Sequence, residues 1–330
     1  MKLWILLSCS ILTTNAVAVN GLFTPSNSSE NTHAVEGTAR LGTPDSRFSI
    51  SASFQGLKVP LISYLMNTVR LLAILALEDF SGTMESTYWD FRDYREVSIE
   101  APPRTDGKPI ERRFVVWGLS LGAGLMVSQR RFETVTFTLM WEGNEVGTIK
   151  IWRWPGAYSI STGMNPSATQ GPILQSALPA ADISAIAPPN SKGVNVQGMV
   201  YDTILTVQTI LLESYVDLFD VFLMAVAVIV DVASREASER IFDYVPPDNV
   251  RGVFVEFYTP TAPNPDPPFF QVQWLIKATV AIPEFMIKNG AFKEAVVRLY
   301  VDGVKVADGS LENRWHANHS PLVLSNISVS

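Results

Sequence analysis

Four carboxylates and two tryptophans are the residues of this chain whose type and placement could do chemistry. Glu78 and Asp79 close a long apolar stretch, and Glu100 and Glu256 hold equivalent places in two similar strand-like segments. Two carboxylates facing one pocket suit glycoside hydrolysis or simple proton transfer, because a buried acid keeps its proton near neutral pH while an exposed one stays ionised. The plainer reading of the same four is a helix end and two solvated strand faces. A Glu78-Asp79 pair at a helix C-terminus meets the negative end of the helix dipole and so requires a cation. Arg112, Arg113, Arg130 and Arg131 flank the next helical stretch and are the cations in reach.

Trp152 and Trp154 alternate with Lys150 along one strand, which puts all three on a common face. Two indoles on a strand face can stack on a sugar ring or an aromatic ligand. If the face is buried they are core instead, but Lys150 on that face points to solvent.

Other chemistries are excluded by residue type. The sole cysteine, Cys9, lies in the N-terminal leader, and histidine occurs only as His33, His316 and His319, outside the regularly patterned body. A serine triad, a cysteine–histidine pair and the usual zinc sites all lack their parts. His316 and His319 have no further ligand nearby and read as tail residues. Gly118-Leu119-Ser120-Leu121-Gly122 has the spacing of a nucleophile elbow, yet it falls inside an expected helix and no histidine is at hand to activate the serine. No glycine-rich phosphate loop is present, and no cofactor or metal is expected.

The chain opens with Met1-Lys2, an apolar core from Leu3 to Leu12 and Ala16-Val17-Ala18, the form of a cleaved signal peptide over residues 1–18. With Lys2 removed, 24 basic residues face 32 acidic ones, a net charge near −8. That balance argues against nucleic acid and anionic membrane surfaces as partners. Sequons at Asn27, Asn318 and Asn326 fall at the two ends, as on a folded body with sugar-bearing flanks.

The elements that must position these residues come in two copies. Phe114 to Val146 reads as an apolar helix, a strand, a Glu142-Gly143 turn and a return strand, and a gap-free shift of 160 gives Trp274 to Val306 with the same order. Met126, Phe132, Leu139, Gly143 and Val146 recur as Met286, Phe292, Leu299, Gly303 and Val306. The expected fold class is α+β, with two homologous repeats, each strand-helix-strand-helix-hairpin, and helices packed on one side of a small mixed sheet. In the first repeat, residues 47–154, a strand at Phe48–Phe54 precedes a buried helix within Val59 to Leu77, with Leu61, Leu65, Val69, Leu72 and Ala76 on its inward face. Its length suits a bilayer span, but Arg70 in its middle and Pro60 at its start argue against stable membrane insertion. Gly118, Gly122 and Gly124 in the next helix imply close approach by another element. Residues 19–46 are expected to lack order, and 155–193 form a Pro/Ser/Ala-rich linker. The second repeat covers 194–311, with a long helix from Tyr201 to Ala237 and an Asp302-Gly303 hairpin turn, and 312–330 are a glycosylated tail.

Leu65-Met66-Asn67-Thr68, Ala76-Leu77-Glu78-Asp79-Phe80, Trp117-Gly118-Leu119 and Phe137-Thr138-Leu139-Met140-Trp141-Glu142-Gly143 resemble the wording of uncharacterised secreted proteins of filamentous fungi. The resemblance implies a fungal source and an extracellular compartment and carries no activity. Together the residues favour a secreted, glycosylated, non-catalytic protein that binds a small molecule or a glycan. A cofactor-independent enzyme, either a carboxylate-based glycosidase or an isomerase or cyclase, is the second reading, and a cell-wall or host-interaction protein the third.

Overall fold

The computed structural model describes residues 32–36, 44–104, 106–153, 197–201, 204–246, 252–260 and 266–313. The first half runs β1 (Thr32–Glu36), β2 (Phe48–Lys58), α1 (Leu61–Ala76), β3 (Thr83–Met84), β4 (Thr87–Asp90), β5 (Val97–Ala101), β6 (Ile110–Glu111), α2 (Arg112–Ser128), β7 (Glu133–Trp141) and β8 (Asn144–Arg153). The second runs β9 (Gln197–Tyr201), β10 (Leu205–Tyr215), α3 (Leu218–Val232), β11 (Asp243–Tyr244), β12 (Val253–Tyr258), α4 (Val272–Lys288), β13 (Lys293–Val301) and β14 (Val304–Asn313). Each half builds a six-stranded sheet, in the orders β1-β2-β7-β8-β5-β4 and β11-β12-β14-β13-β10-β9.

The mixed sheet expected from alternating strands and helices is not what forms. Every pairing among the described strands is antiparallel. The β5–α2–β7 crossover does bring β7 back parallel to β5, but the hairpin folds β8 into the space between them. That insertion makes each neighbouring pair antiparallel.

Two further expectations are corrected. Residues 32–36, read as disordered, form β1 and pair with β2. The long helix read from Tyr201 to Ala237 is strand β10 followed by α3, which starts only at Leu218. Thr206, Val207, Thr209 and Ile210 are β-branched, a stiffness that favours the pleated strand over the helix. Asp217 then caps α3 by accepting from the backbone N–H groups of Phe219 and Asp220.

The two sheets close over a central helical layer. α1 and α2 cover one face of the first sheet, α3 and α4 one face of the second, and the helices of the two halves pack on each other. This explains α1, where the sequence gives one inward stripe but the helix is buried almost all round. Only Leu61, Ile62, Arg70 and Ile74 keep appreciable exposure. Asn67, fully buried in α1, donates through Nδ2 to the carbonyls of Tyr94 and Val97 and so ties β5 to the helix. Arg70 crosses between the halves. Its Nε lies 2.6 Å from Glu284 of α4, and its side chain also reaches Asp93 and covers the Tyr94 ring.

Small residues set the spacing of α2 above its sheet. A Cβ at Gly118 would fall 2.5 Å from Leu139 Cδ2, and one at Gly122 would fall 2.6 Å from Phe137 Cε2, whereas one at Gly124 would meet nothing. The close approach read from three glycines thus belongs to two of them. Gly122→Leu is expected to lower the unfolding free energy by about 1–3 kcal/mol through overpacking, while Gly124→Ala raises it by up to about 1 kcal/mol through helix propensity. Urea denaturation compares them, and equal effects at the two positions would contradict this packing.

Arg70→Met leaves Glu284 buried without its partner and is expected to cost about 3 kcal/mol, most of it recovered when Glu284→Met is added. A double variant as unstable as the single would show that the pair does not act as one unit.

Candidate functional site

With one face of each sheet committed to helices, any sheet-borne site lies on the outer faces. On the first sheet, Phe48, Ile50, Phe137, Leu139, Ile149 and Ile151 point inward and are fully buried. The alternate residues face out, and register lines them up across strands. Tyr88 of β4 stands opposite Glu100 of β5, Glu100 opposite Lys150 of β8, and Lys150 opposite Thr136 of β7. In the neighbouring row Asp90, Ser98 and Trp152 are aligned in the same way.

The structure therefore gathers Trp152, Lys150 and Glu100 on one surface and adds a residue that sequence reasoning missed. The Tyr88 ring lies 5.9 Å from the Trp152 indole, tilted by 43°, and stays 39% exposed. Its hydroxyl is 3.0 Å from Ser98 Oγ, which orients the phenol. The signal was in the sequence, since Tyr88 and Asp90 alternate with Trp89 as strand neighbours must. Trp152 is half-buried and Lys150 exposed, so the indole is neither core nor wholly free. Trp154 lies outside the described residues, as do Asn27, Asn318 and Asn326.

Charge at this surface is mixed. Burial raises the Asp90 carboxyl above its ordinary value, opposed by Arg95. Burial likewise raises the Tyr88 phenol, with the Asp90 and Glu100 charges adding to it and the Ser98 bond opposing. Tyr88 is thus a neutral hydrogen-bonding aromatic at physiological pH.

The other candidate acids are not brought together. Glu78 lies 2.7 Å from Arg112, whose guanidinium also donates to the Asp79 carbonyl. The Asp79 carboxylate accepts from the Ser81 hydroxyl and amide, bonds that lower its pKa. Arg112 is the cation that this helix end requires, and the pair is structural. Glu100 and Glu256 do occupy matching strand positions, but on the outer faces of sheets that sandwich the helices. They point to opposite sides of the molecule and cannot share a pocket.

Glu256 accepts from Ser310 Oγ at 3.3 Å and faces Glu312, whose pKa is raised by burial and by the Glu256 and Glu294 charges. A cleft of about 290 Å³ between Met84, Glu85, Pro103, Arg104 and Lys108 holds none of the expected site residues. Its Arg104 is occupied by Asp106 and the Val146 carbonyl.

No family model and no curated protein matches the chain. Among solved structures it is similar to the tandem DUF26 ectodomain from the Arabidopsis thaliana cysteine-rich receptor-like protein PDLP8, at 8% identity and a TM-score of 0.20, covering 79% of this chain and 95% of that one. That likeness is too slight to bear on fold or function. Among the described residues no helix is long and apolar enough to cross a membrane.

The two aspartates give a pH test of this geometry. Asp90, raised, should titrate above 3.8, and its contribution to stability falls as pH rises through that raised value. Asp79, lowered, should titrate below 3.8, with a contribution present above that pH and lost as pH falls through its own pKa. Carboxyl carbon NMR titration resolves the two, and the reverse order would contradict the environments described.

Proposed function

We propose that the chain is a secreted, glycosylated, non-catalytic binding protein, built of two homologous halves, that takes a glycan or other small ring-bearing molecule on the outer face of its first sheet. The observation that carries this reading is the Tyr88–Trp152 pair, a partly exposed aromatic surface flanked by Lys150, Glu100 and Asp90. Aromatic faces stack on the apolar face of a pyranose, and neighbouring polar side chains bond its hydroxyls. The separation of the candidate acids favours binding over catalysis. Secretion rests on the leader and the sequons at the chain ends.

Homology of the halves is supported by details that packing alone does not require. The hairpin irregularity between Leu139 and Met140 recurs between Leu299 and Tyr300, at the same shift of 160 residues. The break between Phe54 and Lys58 recurs between Leu211 and Tyr215. Both hairpins turn through two residues with positive φ, Glu142-Gly143 and Asp302-Gly303, as a type I′ turn demands.

Tyr88→Ala and Trp152→Ala are each expected to weaken glycan binding about tenfold or more, or ~1.4 kcal/mol, with the circular dichroism spectrum and melting temperature of Tyr88→Ala unchanged. Trp152→Ala combined with Trp154→Ala should abolish binding in a folded protein. Unfolding of that double variant, with Tyr88→Ala binding normally, would show that the indoles are core and overturn the reading.

A further inference from the structure

The aromatic pair occupies only one end of the exposed face. From Tyr88 the register continues through Glu100, Lys150 and Thr136 to Ser53 of β2, five residues on five adjacent strands. At about 4.8 Å between strands the row extends roughly 19 Å. Beside it, Thr148, Thr138 and Ser51 form a second row across β8, β7 and β2. Tyr88, Ser53 and Lys150 are exposed, and Ser51, Thr136, Thr138 and Thr148 are half-buried. Short hydroxyl side chains make the floor over β8, β7 and β2, Tyr88 with Trp152 makes the wall at its end, and Glu100 and Lys150 stand between the two.

The fold does not impose this floor. The second sheet has the same register, and where the first carries Thr136 opposite Ser53 and Thr138 opposite Ser51, the second carries Val296 opposite Ile210 and Arg298 opposite Gln208. Trp152 and Lys150 likewise correspond to Glu312 and Ser310. At these positions the first half thus bears serine, threonine, lysine and tryptophan, and the second isoleucine, valine, glutamine, arginine, serine and glutamate. Charge narrows the ligand further. Glu100 stands directly opposite Lys150, which offsets both, and Asp90 adds an acid near the aromatic pair. An anionic polymer is disfavoured by those carboxylates, and no stripe of one sign crosses the floor.

Resting on the binding reading above, we infer that the ligand is an extended neutral polysaccharide chain lying across the strands, its first ring on Tyr88 and Trp152 and its following units on the Thr136–Ser53 floor. Each further ring exchanges hydroxyl–water bonds for hydroxyl–hydroxyl bonds to the sheet. Affinity should therefore grow with chain length until the floor is covered.

The experiment is calorimetric titration of the full mature protein with the monomer and a length series of neutral β-linked glucose oligomers, and with a uronic acid oligomer for comparison. The longest neutral oligomer is expected to bind about tenfold or more tighter than the monomer. Thr136→Val with Ser53→Val should remove that gain and leave monomer binding intact, since both positions lie on the outer face away from the aromatic pair and valine suits a strand. Binding that does not depend on length, but is lost in Tyr88→Ala, would overturn the extended chain and leave the aromatic site standing. Tighter binding of the uronic acid series would overturn the neutral ligand. Absence of binding by every glycan, with the protein folded, would overturn the aromatic site and this inference with it.

Discussion

Burial of four apolar helices between two sheets is the constraint on which the rest of this structure depends. α1 and α3 each pack both on their own sheet and on the helices of the other half, so neither has a polar face to give to water. A helix apolar all round is stable only when enclosed, and either half alone would leave its helices open to solvent. Arg70 and Glu284 are a charged pair placed across this layer, largely removed from water and set against each other at 2.6 Å. Such a pair adds little net stability but penalises docking that would leave either charge alone.

The same constraint determines where function can reside. Inner sheet faces are core, and on the outer face of the second sheet Glu294, Val296, Ser310 and Glu312 are buried as well, so the outer face of the first sheet and the loops remain, and the two outer faces differ in chemistry. The first carries aromatic rings and hydroxyls around a balanced Glu100–Lys150 pair. On the second, burial and the neighbouring Glu256 and Glu294 charges hold the Glu312 carboxyl above its ordinary value.

Much of the architecture was legible in the sequence because periodicity reports which side chains are buried. The alternation of Phe48 to Phe54, the Asp302-Gly303 turn and the Leu139–Leu299 correspondence all belong to local structure and were readable as such. Strand neighbours were not readable. Nothing local tells β8 to insert between β5 and β7, and that insertion converts an expected mixed sheet into an antiparallel one. β10 was lost inside an apolar run because a buried strand and a buried helix look alike until their periods separate. At the site, Lys150 and Trp152 followed from strand alternation, whereas Tyr88 comes from another strand and joins them only through pairing. Glu100 and Glu256 illustrate the converse. Equivalent positions in two repeats suggested one shared pocket, but in a sandwich of this kind equivalent outer positions point in opposite directions.

The most direct measurement of the central claim is native mass spectrometry of the glycosidase-treated protein titrated with a neutral oligosaccharide. One ligand per chain is expected, because the second sheet has Ser310 and Glu312 where the first has Lys150 and Trp152. Two ligands per chain would show that the fold itself carries the binding, and none would show that the outer face of the first sheet is not a binding surface.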